Sequence, residues 1–160
     1  MKASVRLVAF LFFALALTSL PQEAQAQRRG LRVVRGMVPE LGPRVGYDFD
    51  ADDWSVGGQL RLPARRLELL LSGDYYFTDA GQVNLDLALR LGPLSSLYVG
   101  GGVGVYWSFG SSVGPNILVG LHPAGRRAAP IRPYAEGRWT FLDYGTPFRL
   151  VFGVNVTLGR

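Results

Sequence analysis

The chain of 160 residues lacks cysteine altogether and has a single histidine, His122. Disulfides, thiolate catalysis and cysteine-ligated metal sites are therefore excluded, as is a metal site built from several histidines, and we expect no cofactor. After residue 26 the chain has no lysine, so every basic side chain there is an arginine. No stretch beyond residue 17 is apolar over the roughly 20 residues that a membrane-spanning helix needs. Any insertion into a membrane must therefore use strands.

The N-terminus has the composition of a secretory signal peptide. Lys2 and Arg6 provide the positive start, an almost wholly apolar run follows over 7–17, and small residues form a cleavage site at 24–26. The apolar run is too short to cross a membrane as a helix. We therefore expect residues 1–26 to be removed after they have directed the chain across the inner membrane.

The remaining chain is expected to contain one domain over 43–160, preceded by a periplasmic N-terminal segment over 27–42. In this domain apolar and polar residues alternate, most cleanly from Phe148 to Leu158. Strand side chains point alternately to opposite faces, so the pattern predicts β-strands. An even number of strands closes as an antiparallel meander, and the segments have about the length of tilted membrane strands. The eight predicted strands are 43–49, 54–62, 66–77, 82–91, 96–109, 113–122, 131–142 and 147–158.

The two faces of the predicted strands differ in size and polarity. One face holds nearly all the large Leu, Phe and Trp residues, whereas the other is polar and rich in glycine, including Gly100, Gly102 and Gly104 in one strand. The interior of an eight-stranded barrel is just wide enough for side chains to fill. The large apolar face must therefore point outward to lipid, which predicts an all-β, eight-stranded antiparallel up-and-down transmembrane β-barrel. A soluble lipocalin-like carrier, with the apolar face inward, is the alternative that this volume argument disfavours.

Aromatic residues of the apolar face lie at the ends of odd strands and the starts of even strands. In an up-and-down barrel these positions share one rim, as in the aromatic girdle at a membrane interface. With both termini in the periplasm this rim faces the exterior, and the outer loops are 50–53, 78–81, 110–112 and 143–146. The predicted girdle consists of Phe49, Trp54, Tyr75, Phe77, Trp107, Phe109, Trp139, Phe141 and Phe148.

The polar face carries nearly equal numbers of basic and acidic residues. Charges kept from water persist when they are paired and hydrogen-bonded. We therefore expect a lumen charge network that fills the barrel, with a narrow ion-selective pore as the alternative. The predicted network consists of Arg44, Asp48, Arg61, Glu68, Asp74, Asp86, Arg90, Arg132, Glu136, Arg138 and Arg149.

Two further features suggest metal binding or catalysis only superficially. The acidic residues over 48–53 resemble a calcium loop, but Asp53 stands where glycine is required and Gln59 where a bidentate glutamate is required. His122 belongs to the periplasmic end of the sixth strand, away from the outer leaflet where a lipid A-modifying enzyme would act. We therefore expect neither a metal site nor a catalytic site.

The mature chain resembles the small outer-membrane β-barrel proteins of the OmpA/OmpX type in its signal peptide, eight alternating strands, girdle and apolar final strand. The resemblance implies a non-enzymatic integral protein of the bacterial outer membrane, in contact with lipid, with a structural or surface-interaction role. In that family the last strand is recognised by the barrel assembly machinery, and Phe152, Val154, Val156 and Leu158 match its alternation before Gly159 and Arg160. The alternative functions are a small diffusion channel, a lipid A-modifying enzyme and a lipocalin-like carrier. Nucleic acid is not an expected partner, because the arginines do not form a stripe.

Overall fold

The computed structural model describes residues 38–64, 66–92, 96–122 and 131–158. The predicted signal peptide over 1–26 and most of the predicted segment over 27–42 lie outside these ranges. Eight antiparallel strands pair in chain order and form a closed barrel. The strands are β1 (Glu40–Asp48), β2 (Asp53–Ala64), β3 (Leu67–Tyr76), β4 (Gly81–Arg90), β5 (Leu97–Trp107), β6 (Ser111–Leu121), β7 (Ile131–Thr140) and β8 (Phe148–Thr157).

Closure depends on the first strand, since β1 pairs with β2 on one side and with β8 on the other. The predicted all-β, eight-stranded antiparallel barrel is thereby confirmed. β1 begins at Glu40, three residues before the predicted start at 43. The reason is that alternation continues upstream of Pro43: Glu40 is 2% exposed and faces the lumen, whereas Leu41 is 36% exposed on the outside.

The barrel has a polar inside and an apolar outside. In β4, Leu85 and Leu87 are each 53% exposed, whereas Asp86 between them is 1% exposed. Arg61 and Arg138 are among the most deeply buried large side chains of the described residues. The alternative of a lipocalin-like carrier, which would have its apolar face inward, is therefore wrong for this chain.

The two rims are distinguished by their connections. The girdled rim carries the short turns 49–52, 77–80, 108–110 and 141–147, and the terminal rim carries the other connections and the ends of β1 and β8 that lead to the chain termini. Strands extend further into the predicted outer loops than expected, because Asp53, Gly81, Ser111 and Ser112 all belong to strands. Two turns need a left-handed residue, which Asp52 (φ 50°) and Asp79 (φ 68°) supply, since aspartate tolerates this conformation. No helix among the described residues is long and apolar enough to cross a membrane.

Candidate functional site in the barrel lumen

The side chains that point into the barrel are largely charged. β-strand alternation places six arginines and six acidic residues of the described chain on this face, and a seventh acid, Asp53, begins β2 at the girdled rim. Most of these groups are almost completely buried. They are Arg44, Arg61, Arg90, Arg132, Arg138 and Arg149, with Glu40, Asp48, Glu68, Asp74, Asp86 and Glu136.

Asp74 organises the half of the lumen nearer the girdled rim. Arg44 Nε lies 2.7 Å from Asp74 Oδ1, and Arg44 Nη2 donates to Oδ2, so the pair is bidentate. Arg149 Nη2 lies 2.8 Å from the same Oδ2. Arg149 Nη1 also donates to the Tyr76 hydroxyl over 2.7 Å. One carboxylate therefore binds two guanidinium groups, which fixes both arginines against the wall of the barrel.

Amides and hydroxyls extend this cluster across the lumen. Tyr76 donates to Gln82 Oε1 over 3.1 Å, and Gln82 Nε2 donates to Asn84 Oδ1 over 2.8 Å and to Thr140 Oγ1 over 3.1 Å. Asn116 Nδ2 donates to the same Asn84 oxygen over 3.2 Å. Sequence reasoning missed this chain of bonds, because alternation reveals a face and not its neighbours across the lumen.

Arg138 is the central cation of the lumen. Its Nη2 lies 2.8 Å from Glu136 Oε1 and 2.7 Å from Asp86 Oδ2, so it bridges two carboxylates. The Tyr98 hydroxyl donates to Glu136 Oε2 over 3.0 Å and accepts from Arg61 Nη2 over 3.1 Å. Tyr98 thereby connects the central cluster to the ion pairs nearer the terminal rim.

Arg61 is held from several sides in the half nearer the terminal rim. Its Nη1 lies 2.9 Å from Glu68 Oε2, while Arg90 donates to the other oxygen of Glu68. The Arg61 guanidinium also lies 4.7 Å from the centre of the Tyr98 ring and 5.5 Å from that of Tyr134. Such cation–π contacts add to the ion pair where water is excluded.

Two glycines provide the room that these tyrosine rings occupy. Tyr98 is directly opposite Gly120, and Tyr134 is directly opposite Gly153. A Cβ at Gly120 would lie 2.1 Å from Tyr98 Cζ, and one at Gly153 would lie 2.5 Å from Tyr134 Cζ. The abundance of glycine on the polar face is thus explained here by aromatic rings packed against bare backbone.

A smaller cluster lies at the terminal end of the lumen. Arg132 Nη1 is 2.6 Å from Glu40 Oε1, and His122 Nε2 is 3.6 Å from Glu40 Oε2. Sequence reasoning missed Glu40, because it assigned the residue to the segment before the barrel. The alternation of Glu40 with the apolar Leu41 was the signal that could have found it.

Asp48, a member of the predicted network, lies in the lumen but outside its ion pairs. Its Oδ1 accepts hydrogen bonds from the backbone N–H groups of Asp50 and Ala51, each over 3.0 Å. The arginine opposite Asp48 in the sheet is Arg149, which is directed instead at Asp74 and Tyr76. Within the described chain, Asp48 thus has a turn-capping role and no arginine partner.

The nine predicted girdle residues lie at strand ends or in turns of the girdled rim. Phe148 is central to one group of rings, with centroids 4.6 Å from Trp139 and 5.5 Å from Phe49. Tyr47, which the predicted girdle omitted, lies 5.1 Å from Trp54. Seven members are at least 39% exposed: Phe49, Trp54, Tyr75, Phe77, Trp107, Phe109 and Phe141.

The aspartates in the turns of the girdled rim make hydrogen bonds to neighbouring strands. In the described ranges no three residues of His, Cys, Asp or Glu are grouped so that they could hold a metal ion. The Asp50 carboxylate instead accepts the Phe148 backbone N–H over 2.7 Å, and that of Asp52 accepts the Tyr47 hydroxyl. These side chains are used to fasten turns to neighbouring strands.

The fold and the polar lumen define a small, closed eight-stranded β-barrel. Comparisons with protein families and with curated protein sequences give no match. Among solved structures, the N-terminal β-barrel domain of Pseudomonas aeruginosa OprF is 17% identical, with a TM-score of 0.62 over 75% of this chain and 96% of that chain. Neisserial surface protein A is 14% identical, with a TM-score of 0.56 over 77% of this chain and 97% of that one. A designed transmembrane β-barrel is 14% identical, with a TM-score of 0.57 over 76% and 95%.

These similarities concern the fold. The chain has the eight-stranded architecture of these barrels, and the resemblance to small barrels of the OmpA/OmpX type is confirmed at that level.

Proposed function

We propose that this protein is an integral β-barrel of the bacterial outer membrane, exported by the signal peptide over 1–26, with a plugged lumen and a structural or surface-interaction role. The observation that carries the proposal is the inverted polarity of the barrel, with buried charges inside and exposed Leu, Val and Phe side chains outside. Apolar area left in water costs roughly 25 cal/mol per Å². A belt of such side chains around the whole barrel therefore favours lipid as its solvent.

The aromatic girdle supports an interfacial position for one rim. Trp and Tyr prefer the head-group level because they combine an apolar ring with a polar group. Similarity to a barrel named a surface protein and to a designed transmembrane barrel supports the same placement. Outer-membrane lipid is accordingly the proposed partner, together with the barrel assembly machinery, for which the alternation of β8 is the expected recognition feature.

We propose no enzymatic activity. His122 is buried against Glu40 at the terminal rim, which is the end opposite the aromatic girdle. A lipid A-modifying enzyme would need its catalytic groups at the other end, beside the outer leaflet. The lumen residues form ion pairs with one another, so their polar groups are used to fill the barrel.

A plug is favoured over a pore by the continuity of the lumen contacts. Arg44, Asp74 and Arg149 fill one half, and the ion pairs around Arg138 and Arg61 fill the other. A narrow diffusion channel is the second candidate. It is favoured by several buried polar atoms without a hydrogen-bond partner in the described part of the chain, such as Arg44 Nη1 and Asn155 Oδ1, since polar atoms of this kind attract water.

Conductance of the refolded protein in planar lipid bilayers tests the plug. We expect no steady openings above the background of protein-free bilayers. Steady, ion-selective openings would establish the channel in place of the plug. Fractionation of the host cell tests the location: the protein should need detergent for release from the outer-membrane fraction, and its gel mobility should change on heating. Release into the periplasmic fraction without detergent would contradict the membrane placement.

A further inference from the structure

Three tyrosines form a continuous series of rings from the lumen to the girdled rim, here called the tyrosine ladder: Tyr76, Tyr106 and Tyr144. Their ring centroids are 5.8 Å apart for Tyr76 and Tyr106 and 6.2 Å apart for Tyr106 and Tyr144, both in edge-to-face geometry. Exposure rises along the ladder, from 1% at Tyr76 to 65% at Tyr144. The aromatic rings therefore lead from the charged interior to solvent.

Two acidic side chains of the lumen at the girdled rim have no arginine partner within the described ranges. Asp48 and Asp53 are directly opposite each other in the β1–β2 pair and are only 4% and 8% exposed. Thr78 donates to Asp53 through its N–H and its hydroxyl. Like charges directly opposite in a sheet are destabilising, and buried charges persist when they are compensated. This pair therefore lacks the cation that the other lumen acids have.

The surroundings of the pair add to its negative potential. Arg44 and Arg149 both bind Asp74, and neither binds Asp48 or Asp53. By sequence, the four turns of the girdled rim contribute four aspartates and no lysine or arginine: Asp50, Asp52, Asp79 and Asp143. A rim that carries one sign of charge concentrates counter-ions.

The tyrosine ladder and the Asp48–Asp53 pair both reach the girdled rim. Burial raises the pKa of the Tyr144 phenol, and the Tyr106 phenol and the Asp48 carboxylate raise it further. In the sheet, Asp48 is directly opposite Arg149, whose guanidinium lies against the ring of Tyr76, and that ring lies 5.8 Å from the ring of Tyr106. Aromatic faces and carboxylates attract the same class of ligand, because a ring presents the negative face of its quadrupole to a cation.

We infer that the mouth at the girdled rim binds a small organic cation of the ammonium or guanidinium type, against the rings of Tyr106 and Tyr144 and beside the carboxylates of Asp48 and Asp53. The protein itself contains such a contact at the buried end of the ladder, where the Arg149 guanidinium lies 5.6 Å from the centre of the Tyr76 ring. The ligand would lie against the rings of Tyr106 and Tyr144 in the way that the Arg149 guanidinium lies against the ring of Tyr76.

An organic cation fits this mouth better than a metal ion. Both carboxylates already use one oxygen to accept hydrogen bonds from turns, and Mg²⁺ or Ca²⁺ requires six or more oxygen ligands. Phenol rings add attraction for a soft organic cation but supply few ligands for a hard ion. The inference goes beyond the proposed plugged barrel and does not depend on it, since binding at the mouth is measured without reference to conductance.

The test is a titration of the ¹⁵N-labelled, refolded protein with tetramethylammonium and, separately, with agmatine, followed by NMR chemical shifts. Maltoside micelles are required, because phosphocholine detergents themselves carry a quaternary ammonium group. Sodium chloride holds the ionic strength constant, so that screening does not change. We expect saturable shifts at the backbone amides of Tyr106, Tyr144 and the turn 49–52.

Three variants assign the binding to the mouth. Asp48→Asn keeps an oxygen that can cap the turn but removes the charge, and we expect affinity to fall about tenfold. Tyr106→Leu keeps an apolar side chain but removes the quadrupole, and we expect a fall of about three- to fivefold. Asp143→Asn is the matched control, because this exposed aspartate lies on the same rim and its replacement changes the net charge equally. We expect less than a twofold change for it.

Several results would overturn the inference. Non-saturable shifts, or an Asp143→Asn effect as large as that of Asp48→Asn, would show that the cation is attracted only by the overall charge of the rim. Saturable binding of Mg²⁺ or Ca²⁺ at the same amides, with none of either organic cation, would establish a metal site in its place. Unchanged affinity in Tyr106→Leu would show that the Tyr106 ring takes no part in binding.

Discussion

Acidic side chains at the two ends of the lumen have different partners. At the terminal end, Glu40 binds Arg132, and Glu68 binds both Arg61 and Arg90. At the girdled end, Asp48 accepts hydrogen bonds from the backbone N–H groups of Asp50 and Ala51, and Asp53 accepts them from the backbone N–H and the hydroxyl of Thr78. Paired charges fill space and fix the strands against one another. Charges left without a cation keep their potential for a ligand, so we interpret one end as packing and the other as a binding surface.

The connections at the two rims also differ in the sign of their charged residues, as the sequence shows. The turns of the girdled rim contain four aspartates and no basic residue, whereas the connections of the terminal rim contain four arginines and no acidic residue. The arginines are Arg65, Arg66, Arg126 and Arg127. By sequence, the two sets of connections therefore carry opposite charge.

The largest expected effect comes from breaking the paired part of the lumen. Arg138→Ala would leave the carboxylates of Glu136 and Asp86 buried without their shared cation. Removal of one partner from a buried pair costs about 3–5 kcal/mol, so the free energy of unfolding should fall by that amount. Urea unfolding of the protein in lipid vesicles measures it. Arg66→Ala, at an exposed arginine, is the control and should change stability by less than about 0.5 kcal/mol. Equal stabilities for the two variants would contradict the assigned role of Arg138.

An intermediate loss of stability is expected when a side chain is added at a glycine that packs against a tyrosine ring. In Gly153→Ala the new Cβ would lie 2.5 Å from the Tyr134 ring, so the ring must leave its present position near Arg61. Overpacking of this kind costs about 1–3 kcal/mol, measured by the same unfolding experiment. Gly110→Ala is the control, since a Cβ there meets nothing within 4 Å. Tyr134→Ala should remove most of the difference between Ala and Gly at position 153. A full cost that persists in Tyr134→Ala would show that the ring is not its cause.

The smallest effect, and one of opposite sign, is expected at the girdled end. Asp48→Asn removes the repulsion with Asp53 but keeps an acceptor for the Asp50 and Ala51 N–H groups. Stability in the absence of added cation should therefore rise by roughly 0.2–1 kcal/mol. Loss of about 2 kcal/mol or more in urea unfolding would mean that Asp48 has a stabilising partner, and the contrast between the two ends would not hold.

Particular residues show what could be predicted. In β4 the alternation of Leu85, Asp86 and Leu87 was enough to assign the strand, its two faces and the burial of the carboxylate. The start of β1 was harder, because Pro39 and Pro43 interrupt the pattern on both sides of Glu40. Proline in a strand removes one hydrogen-bond donor, yet it leaves the alternation of side chains intact.

The sequence by itself determined the alternation, the number of strands, the large apolar face and the residues available to fill the lumen, because all of these depend on near neighbours along the chain. Partners across the lumen were decided only by the tertiary structure, since they depend on strand register and closure. Arg149 binds Asp74, 75 positions away (149 − 74), in preference to Asp48, which lies opposite it in the sheet. That choice leaves Asp48 at the girdled rim without an arginine, which alternation alone could not reveal.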